Sequence, residues 1–346
     1  MHSMKKQTHT MRDRTVTEGE WLRPTFGVIL IFAMCVIFSP LSTKGGLIFL
    51  KLENLTNILR QVSENGIISV GMTFVIIAGG IDLSVGSVLA LSATMTALGL
   101  MDWQLGLPGT VLLVLALSAG AGLVNGVITS WGRIQSFIVT LAMMTAARGL
   151  ALFIASNNSR NIGFGPGAAP EVFGIFTTSY AGVPFPVFIF LAVSVLFLVV
   201  LKSTPLGRYT YAIGSNEQAA LLAGLRVRWI RTITFIFSAL LAGLAGIIHT
   251  GQLLQGNPND GVGFELDAIA AVVIGGTSLM GGRGSVEGTL AGVLIIGLLS
   301  NILGLHGIQK DFQLMLKGAI IVAAVYIQGR GFQFNFRRLL RRKIET

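Results

Sequence analysis

The stretch GGIDLSVGS, residues 79–87, decides how this chain is read. On its left stands GIISVGMTFVIIA and on its right VLALSATMTALGL, both almost wholly apolar. An acid between paired glycines and spaced serines ends one apolar segment and opens the next. From Gly66 to Leu100 there are only 35 residues, whereas two crossings of a hydrocarbon core roughly 30 Å thick need about 40. Either the first helix begins earlier, through NILRQVSEN, or GGIDLSVGS turns inside the membrane. Irregular backbone at that depth survives only where protein or a water-filled cavity satisfies its polar groups. Asp82 with Ser84 and Ser87 would then cap a helix opening at Val85 and line that cavity. The competing reading is a plain cytoplasmic hairpin with Asp82 as N-cap.

Composition agrees with a membrane setting. The 346 residues are 52% hydrophobic and 12% charged, with a mean hydropathy of +0.75, while a soluble domain carries about 25% charged residues. The apolar runs do not alternate, which excludes a barrel, so the chain is expected to be an all-α integral membrane protein. Candidate spans lie near 24–43, 62–80, 84–100, 109–128, 136–155, 184–201, 232–250, 267–280, 288–304 and 312–328. About ten helices therefore form a transmembrane domain over 24–328, flanked by basic tails at 1–23 and 329–346. With both termini cytoplasmic, 18 Lys and Arg fall inside and 5 outside, with 2 within spans, as the positive-inside rule requires. Placement thus explains the net charge of +10 through topology and anionic headgroups, and nucleic acid is not needed as a partner. Cys35, inside an apolar run, reads as a small core residue. No small-residue cleavage site closes the first apolar run, which favours a retained span over a signal peptide.

A second segment echoes the first. AVVIGGTSLMGGRGS (271–285) repeats the layout of VIIAGGIDLSVGS, with an apolar run, a Gly-Gly pair and a polar break. Glycine-interrupted segments in corresponding halves point to a transport pathway, so Gly79, Gly80, Asp82, Ser84, Ser87, Asp267, Gly275 and Gly276 are its candidate residues. The other glycine clusters, such as SAGAGLVNG (118–126) and SALLAGLAG (238–246), read as close helix packing. Glu64 and Glu265 read as solvated at the interface, and Glu287 as a local ion pair with Arg283. Arg148 and Lys317 either snorkel to headgroups or pair with a buried carboxylate. His249 reads as a satisfied helix-end histidine, with no second metal ligand at helical spacing.

The longest inner loop, residues 202–231, is too apolar for a disordered linker. Within it GSNEQAALLAGL reads as a short helix capped by Ser215 or Asn216 and ended by Gly224. Ala219, Ala220, Leu222 and Ala223 give it a small apolar surface, facing either a partner protein or the membrane surface.

Here the residues carry a family resemblance. GMTFVIIAGGIDLSVGS, GRIQSFIVTLAMMTAARG, TPLGRYTYAIGSNEQAALLAG and GFELDAIAAVVIGGTSLMGGRGSVEGTLAG together resemble the ribose-type permease subunits of bacterial ATP-binding-cassette sugar importers, over about residues 53–328. The resemblance implies two permease chains, identical or not, in the inner membrane. It also implies a cytoplasmic ATPase that carries ATP and Mg, and a periplasmic binding protein that delivers a pentose or hexose. The ATPase-docking motif maps onto Gly214, Asn216, Glu217, Ala219, Ala220 and Gly224. HTGQLLQGN (249–257) departs from the ribose permeases. No G-x-x-x-x-G-K-[ST] phosphate loop occurs, so ATP hydrolysis is expected on a partner chain, with no catalytic residue, metal or cofactor on this one. The rival reading is an ion-coupled secondary transporter with Asp82 or Asp267 as the proton or sodium site.

Overall fold

The structure is a computed structural model that describes residues 22–42, 46–165 and 169–329. Most of both predicted tails, residues 1–21 and 330–346, lies outside the described residues. Ten helices overlap the ten predicted segments: α1 (Leu22–Ile37), α2 (Leu52–Ile77), α3 (Val85–Met101), α4 (Gly106–Gly132), α5 (Ser136–Ile154), α6 (Phe185–Ser203), α9 (Val227–Leu253), α10 (Phe264–Ile274), α11 (Val286–Leu305) and α12 (Lys310–Gly329). Two short helices, α7 (Pro205–Ser215) and α8 (Glu217–Leu222), separate α6 from α9. Five helices, α4, α5, α6, α9 and α11, are long and apolar enough to cross a membrane by themselves. Exposed apolar side chains such as Leu112, Phe153 and Leu191 on α4, α5 and α6 give the molecule the outward surface that lipid favours and water does not.

The length problem posed by GGIDLSVGS resolves in favour of an early start. Helix α2 begins at Leu52 and has 26 residues, about 39 Å at 1.5 Å per residue, and runs straight through NILRQVSEN. The segment predicted at 267–280 is shorter than expected. Helix α10 holds 11 residues and stops at Ile274, about 17 Å or roughly half a bilayer. Gly275 and Gly276 end it, and residues 275–285 form a loop.

Helices α2, α3 and α9 form the buried centre. Helix α3 is apolar all round rather than on one stripe, as a helix enclosed by others must be. The glycine clusters act as read from sequence, because SAGAGLVNG on α4 faces SALLAGLAG on α9. A Cβ at Gly122 would stand 2.9 Å from Ala239 Cβ, and one at Gly243 2.7 Å from Ser118 Cβ. Side-chain hydroxyls and amides join helices inside this apolar mass: Thr73 to Thr289 (2.7 Å), Ser92 to Ser118 (3.1 Å) and Asn54 to Asn301 (2.8 Å). A small antiparallel pair, β1 (Arg160–Asn161) with β4 (Gln255–Gly256), ties the segment after α5 to the loop before α10. A hairpin of β2 (Ser179–Tyr180) and β3 (Val183–Pro184) leads into α6.

Candidate functional site

The two Gly-Gly segments meet at the end of the bundle that carries α7 and α8. In the first, Gly79 turns the chain at φ 79°, a conformation that glycine adopts without strain. Asp82 is fully buried. Its Oδ1 accepts the Ser84 backbone N–H at 3.0 Å and the Ser84 hydroxyl at 2.6 Å. This is an Asx-type turn set two residues before the helix, so Ser84 rather than Asp82 occupies the N-cap position of α3. Asn125 of α4 donates to Ser84 Oγ at 3.0 Å, and Ser238 of α9 lies against the same carboxylate. Helix α5 closes the remaining side: Ile81 N–H donates to Ser136 Oγ at 3.0 Å, and Thr140 donates to the Ile81 carbonyl at 3.2 Å. Protein side chains therefore satisfy the Ile81 and Ser84 backbone groups of the break, while Asp82 Oδ2 is buried without a hydrogen bond. Ser84 and Ser87 are buried with Asp82. Asn125, Ser136 and Thr140 were not singled out in the sequence, although the last two stand at i and i+4 at the start of a helix.

The second segment is built differently. Gly276 turns at φ 94°, and Gly281, Gly282 and Gly284 also have positive φ. Ser278 N–H donates to the Arg283 carbonyl at 3.0 Å, which closes the loop on itself. Ser285 caps α11 by accepting Gly288 N–H at 3.0 Å. Glu287 pairs with Lys202 at the end of α6, not with Arg283 as the sequence suggested. Lys202 reaches Glu287 from the end of a neighbouring helix, a long-range approach that the local spacing of Arg283 does not reveal. Gly275 packs on the Gly288 backbone, where a Cβ would meet Thr289 N at 2.8 Å.

Helix α7 joins the two segments. Gly282 N–H donates to the Ile77 carbonyl at 2.9 Å, and Gly214 sits against both, since a Cβ there would overlap the Ile77 carbonyl and stand 2.6 Å from Gly282 N. Tyr211 Oη donates to the Gly284 carbonyl at 2.7 Å. Burial, with Glu287 nearby, pushes its phenol up to about 12. Asn216 caps α8 by accepting Ala219 N–H at 3.0 Å, and Gly224 follows the helix at φ 81°. Glu217 pairs with Arg231 of α9 at 2.7 Å. Ala220 does not belong to the outer surface, because it packs with Ala78, Ile213, Val227 and Ile230. The apolar groups α8 leaves outward are Ala219, Leu221 and Leu222, the last 90% exposed. Helix α8 thus rests on Ala78, beside the first Gly-Gly pair.

At the opposite end the buried charges find one another. Asp267 of α10 and Lys317 of α12 form an ion pair at 2.8 Å, each 9% exposed, so Lys317 pairs rather than snorkels. Arg148 donates to the carbonyls of Pro258 (2.5 Å) and Asp260 (2.7 Å), holding the loop before α10. His249 lies between Glu64 (2.9 Å) and Asp260 (3.3 Å); Nδ1 hydrogen-bonds Glu64 while Nε2 is buried without a hydrogen bond, so the histidine expected to be satisfied is so on one side. Glu64 is buried against it instead of solvated. Glu265 is partly buried beside Gly86, again not free in solvent. Among the described residues no three His, Cys, Asp or Glu side chains are arranged to hold a metal ion.

A helical membrane bundle with two glycine breaks converging on a pair of short surface helices defines a membrane transport subunit. The family described as "Branched-chain amino acid transport system / permease component" matches residues 54–325, and the chain belongs to that family. It is 42% identical over 324 residues to the ribose import permease protein RbsC of Escherichia coli (strain K12), covering 93% of this chain and 99% of that one. RbsC of Bacillus subtilis (strain 168) is 41% identical over 324 residues, covering 93% and 97%. The D-allose transport system permease protein AlsC of Escherichia coli (strain K12) is 37% identical over 305 residues, covering 87% and 90%. No solved structure matches the chain significantly.

Proposed function

We propose that this chain is the membrane-spanning permease subunit of an ATP-binding-cassette importer for a monosaccharide. The observation that carries this reading is the likeness to sugar permeases over 93% of the chain. The family description speaks of branched-chain amino acids, but the relatives above handle a pentose or a hexose, so the cargo is assigned to that class. The chain crosses the bacterial inner membrane ten times with both termini in the cytoplasm, and α7 and α8 lie on the cytoplasmic side. Two permease chains pair, and a periplasmic binding protein delivers the sugar. A separate ATPase, holding ATP and Mg, docks on α8 through Ala219 and Leu222, with Asn216, Glu217 and Gly224 shaping that helix. Gly214 and Ala220 carry its movement to both Gly-Gly segments. Gly79, Gly80, Asp82, Ser84, Ser87, Gly275 and Gly276 form the hinge region of the pathway at that end, and Asp267 anchors its other half.

The test is reconstitution in liposomes with the ATPase and binding protein. Ribose or allose uptake should require ATP, and the loaded binding protein should stimulate hydrolysis. Uptake that collapses with an ion gradient while ATP remains would instead favour the secondary transporter. Leu222→Glu should abolish co-purification with the ATPase while the permease stays in the membrane. In intact cells a cysteine at Ser215 should resist an impermeant reagent and one at Asn158 should react, and the reverse pattern overturns the orientation.

A further inference from the structure

Among the described residues three acidic side chains are buried in the bundle: Glu64, Asp82 and Asp267. Two of them face a basic partner, His249 for Glu64 at 2.9 Å and Lys317 for Asp267 at 2.8 Å. Asp82 is the most deeply enclosed, at 0% exposure, and forms no ion pair with any described residue. The elements around it bring only neutral groups: Asn125 from α4, Ser136 and Thr140 from α5, and Ser238 from α9. A buried ion without a counter-charge is so costly that an acid in this position takes up a proton instead. The N-terminus of α3 does not alter that. Its dipole favours negative charge, but the effect is small beside the desolvation of a whole carboxylate.

The hydrogen bonds lead to the same result. Both Ser84 donors go to Asp82 Oδ1, the backbone N–H at 3.0 Å and the hydroxyl at 2.6 Å, and Oδ2 receives none. An ionised carboxylate has two oxygens that both seek donors, whereas a carboxylic acid has one that accepts and one that donates. Asn125 supplies the complement. Its amide nitrogen donates to Ser84 Oγ at 3.0 Å, which leaves its carbonyl oxygen buried without a donor. Asp82 and Asn125 thus meet at one hydroxyl, and each has a further oxygen that lacks a proton to share. A single proton on Asp82 Oδ2 removes both deficits.

We propose that Asp82 is a neutral carboxylic acid in the folded protein, with a proton bound at Oδ2 and donated to the side-chain carbonyl of Asn125. The bound proton is then part of the bracket that holds the first Gly-Gly break against α4, and Asp82 is a positioning residue. This does not depend on the cargo assigned above. It also separates Asp82 from Asp267, whose charge is kept and paired.

The test is infrared spectroscopy of the full-length permease in lipid at neutral pH. The protein is made by cell-free synthesis with aspartate carrying carbon-13 in its side-chain carboxyl. Ordinary aspartates titrate near about 3.9 and are ionised there, so an isotope-shifted C=O band of a protonated carboxyl should report Asp82 alone. Its frequency should be that of a hydrogen-bonded acid, and the frequency of a free acid would overturn the donor role. Asp82→Asn should abolish the band. If that variant does not fold, Asp82→Glu should abolish it too, because its acid carries no label. Wild-type protein whose labelled signal lies wholly in the carboxylate region would refute the proposal, whether the charge is bare or held by a bound cation. A band that survives the substitution belongs to another aspartate and refutes it equally.

Discussion

Residues 78–85 and 275–286 share a sequence layout and differ in almost everything that stabilises them. The first lies between two long helices, and its break is short and sealed. Asp82 folds it onto Ser84, while α4 holds Ser84 through Asn125 and α5 holds Ile81 through Ser136 and Thr140. The second follows a half-length helix, and its longer loop relies on four glycines with positive φ and on bonds to itself. Where the first has a buried acid, the second has Thr277 and Ser278. A Gly-Gly pair specifies that a helix ends. The polar residues after it, and the neighbours they reach, decide whether the chain re-enters at once or wanders. The difference assigns roles under the proposed mechanism: both segments belong to the hinge, the first as its stiffer bracket and the second as the part that α7 moves further, through Tyr211 and Gly214.

The largest expected effect tests how the second segment is held. Helix α10 is too short to be anchored by length, and its Asp267–Lys317 pair ties it to α12. Lys317→Met leaves a carboxylate buried without its cation, which typically costs 3–5 kcal/mol. Thermal unfolding of the detergent-purified protein should shift downward sharply. Asp267→Asn in the same chain should recover most of the loss, because the uncompensated charge is gone. Equal stability of Lys317→Met and wild type would show that α10 needs no such anchor.

A middle-sized effect tests the bracket. Asp82→Asn keeps an acceptor oxygen for Ser84 N–H, so stability and uptake should stay near wild type. Asp82→Leu leaves that N–H and the Ser84 hydroxyl without their acceptor in a dry interior, a cost of about 1–3 kcal/mol, and membrane abundance should fall. If Asn is inactive for uptake but fully abundant, the carboxylate is needed for its charge and the ion-coupled rival gains. If Leu is fully active, the turn does not depend on Asp82.

Much of this arrangement was legible in the sequence because its signals are local. Ten apolar runs mark ten helices, glycine spacing marks the α4–α9 contact, and Asn216 with Gly224 marks both ends of α8. Helix α7 was legible too and went unread, for Thr204 before Pro205 is a helix-start signal, and Thr204 Oγ1 does accept from Gly207 N–H. Long-range pairings left no such trace. Lys317 finds Asp267 across 50 positions and His249 finds Glu64 across 185, and nothing near either residue names its partner. Ala220 looked like surface because a short helix with two apolar faces does not reveal which one is covered.

The smallest effect probes the link between the two segments. Tyr211→Phe removes one hydrogen bond, from Oη to the Gly284 carbonyl, and keeps the ring in place. The net value of such a bond is about 0.5–1.5 kcal/mol, so the unfolding temperature should move only slightly. The informative readout is coupling. If α7 drives the second loop through this bond, binding-protein-stimulated ATP hydrolysis should continue while sugar imported per ATP falls. The pH dependence follows from the raised phenol. The folded state holds its proton up to about 12, above the ordinary tyrosine value near 10. The bond's contribution is therefore complete below about pH 10 and is lost as pH rises through the folded value. Wild type and Tyr211→Phe should differ by a constant margin at neutral pH and converge only in strong alkali. A margin that changes between pH 6 and 8, or a coupling ratio unaltered by the substitution, would remove Tyr211 from the link and leave it to the contacts of Gly214 and Ser215 with Gly282.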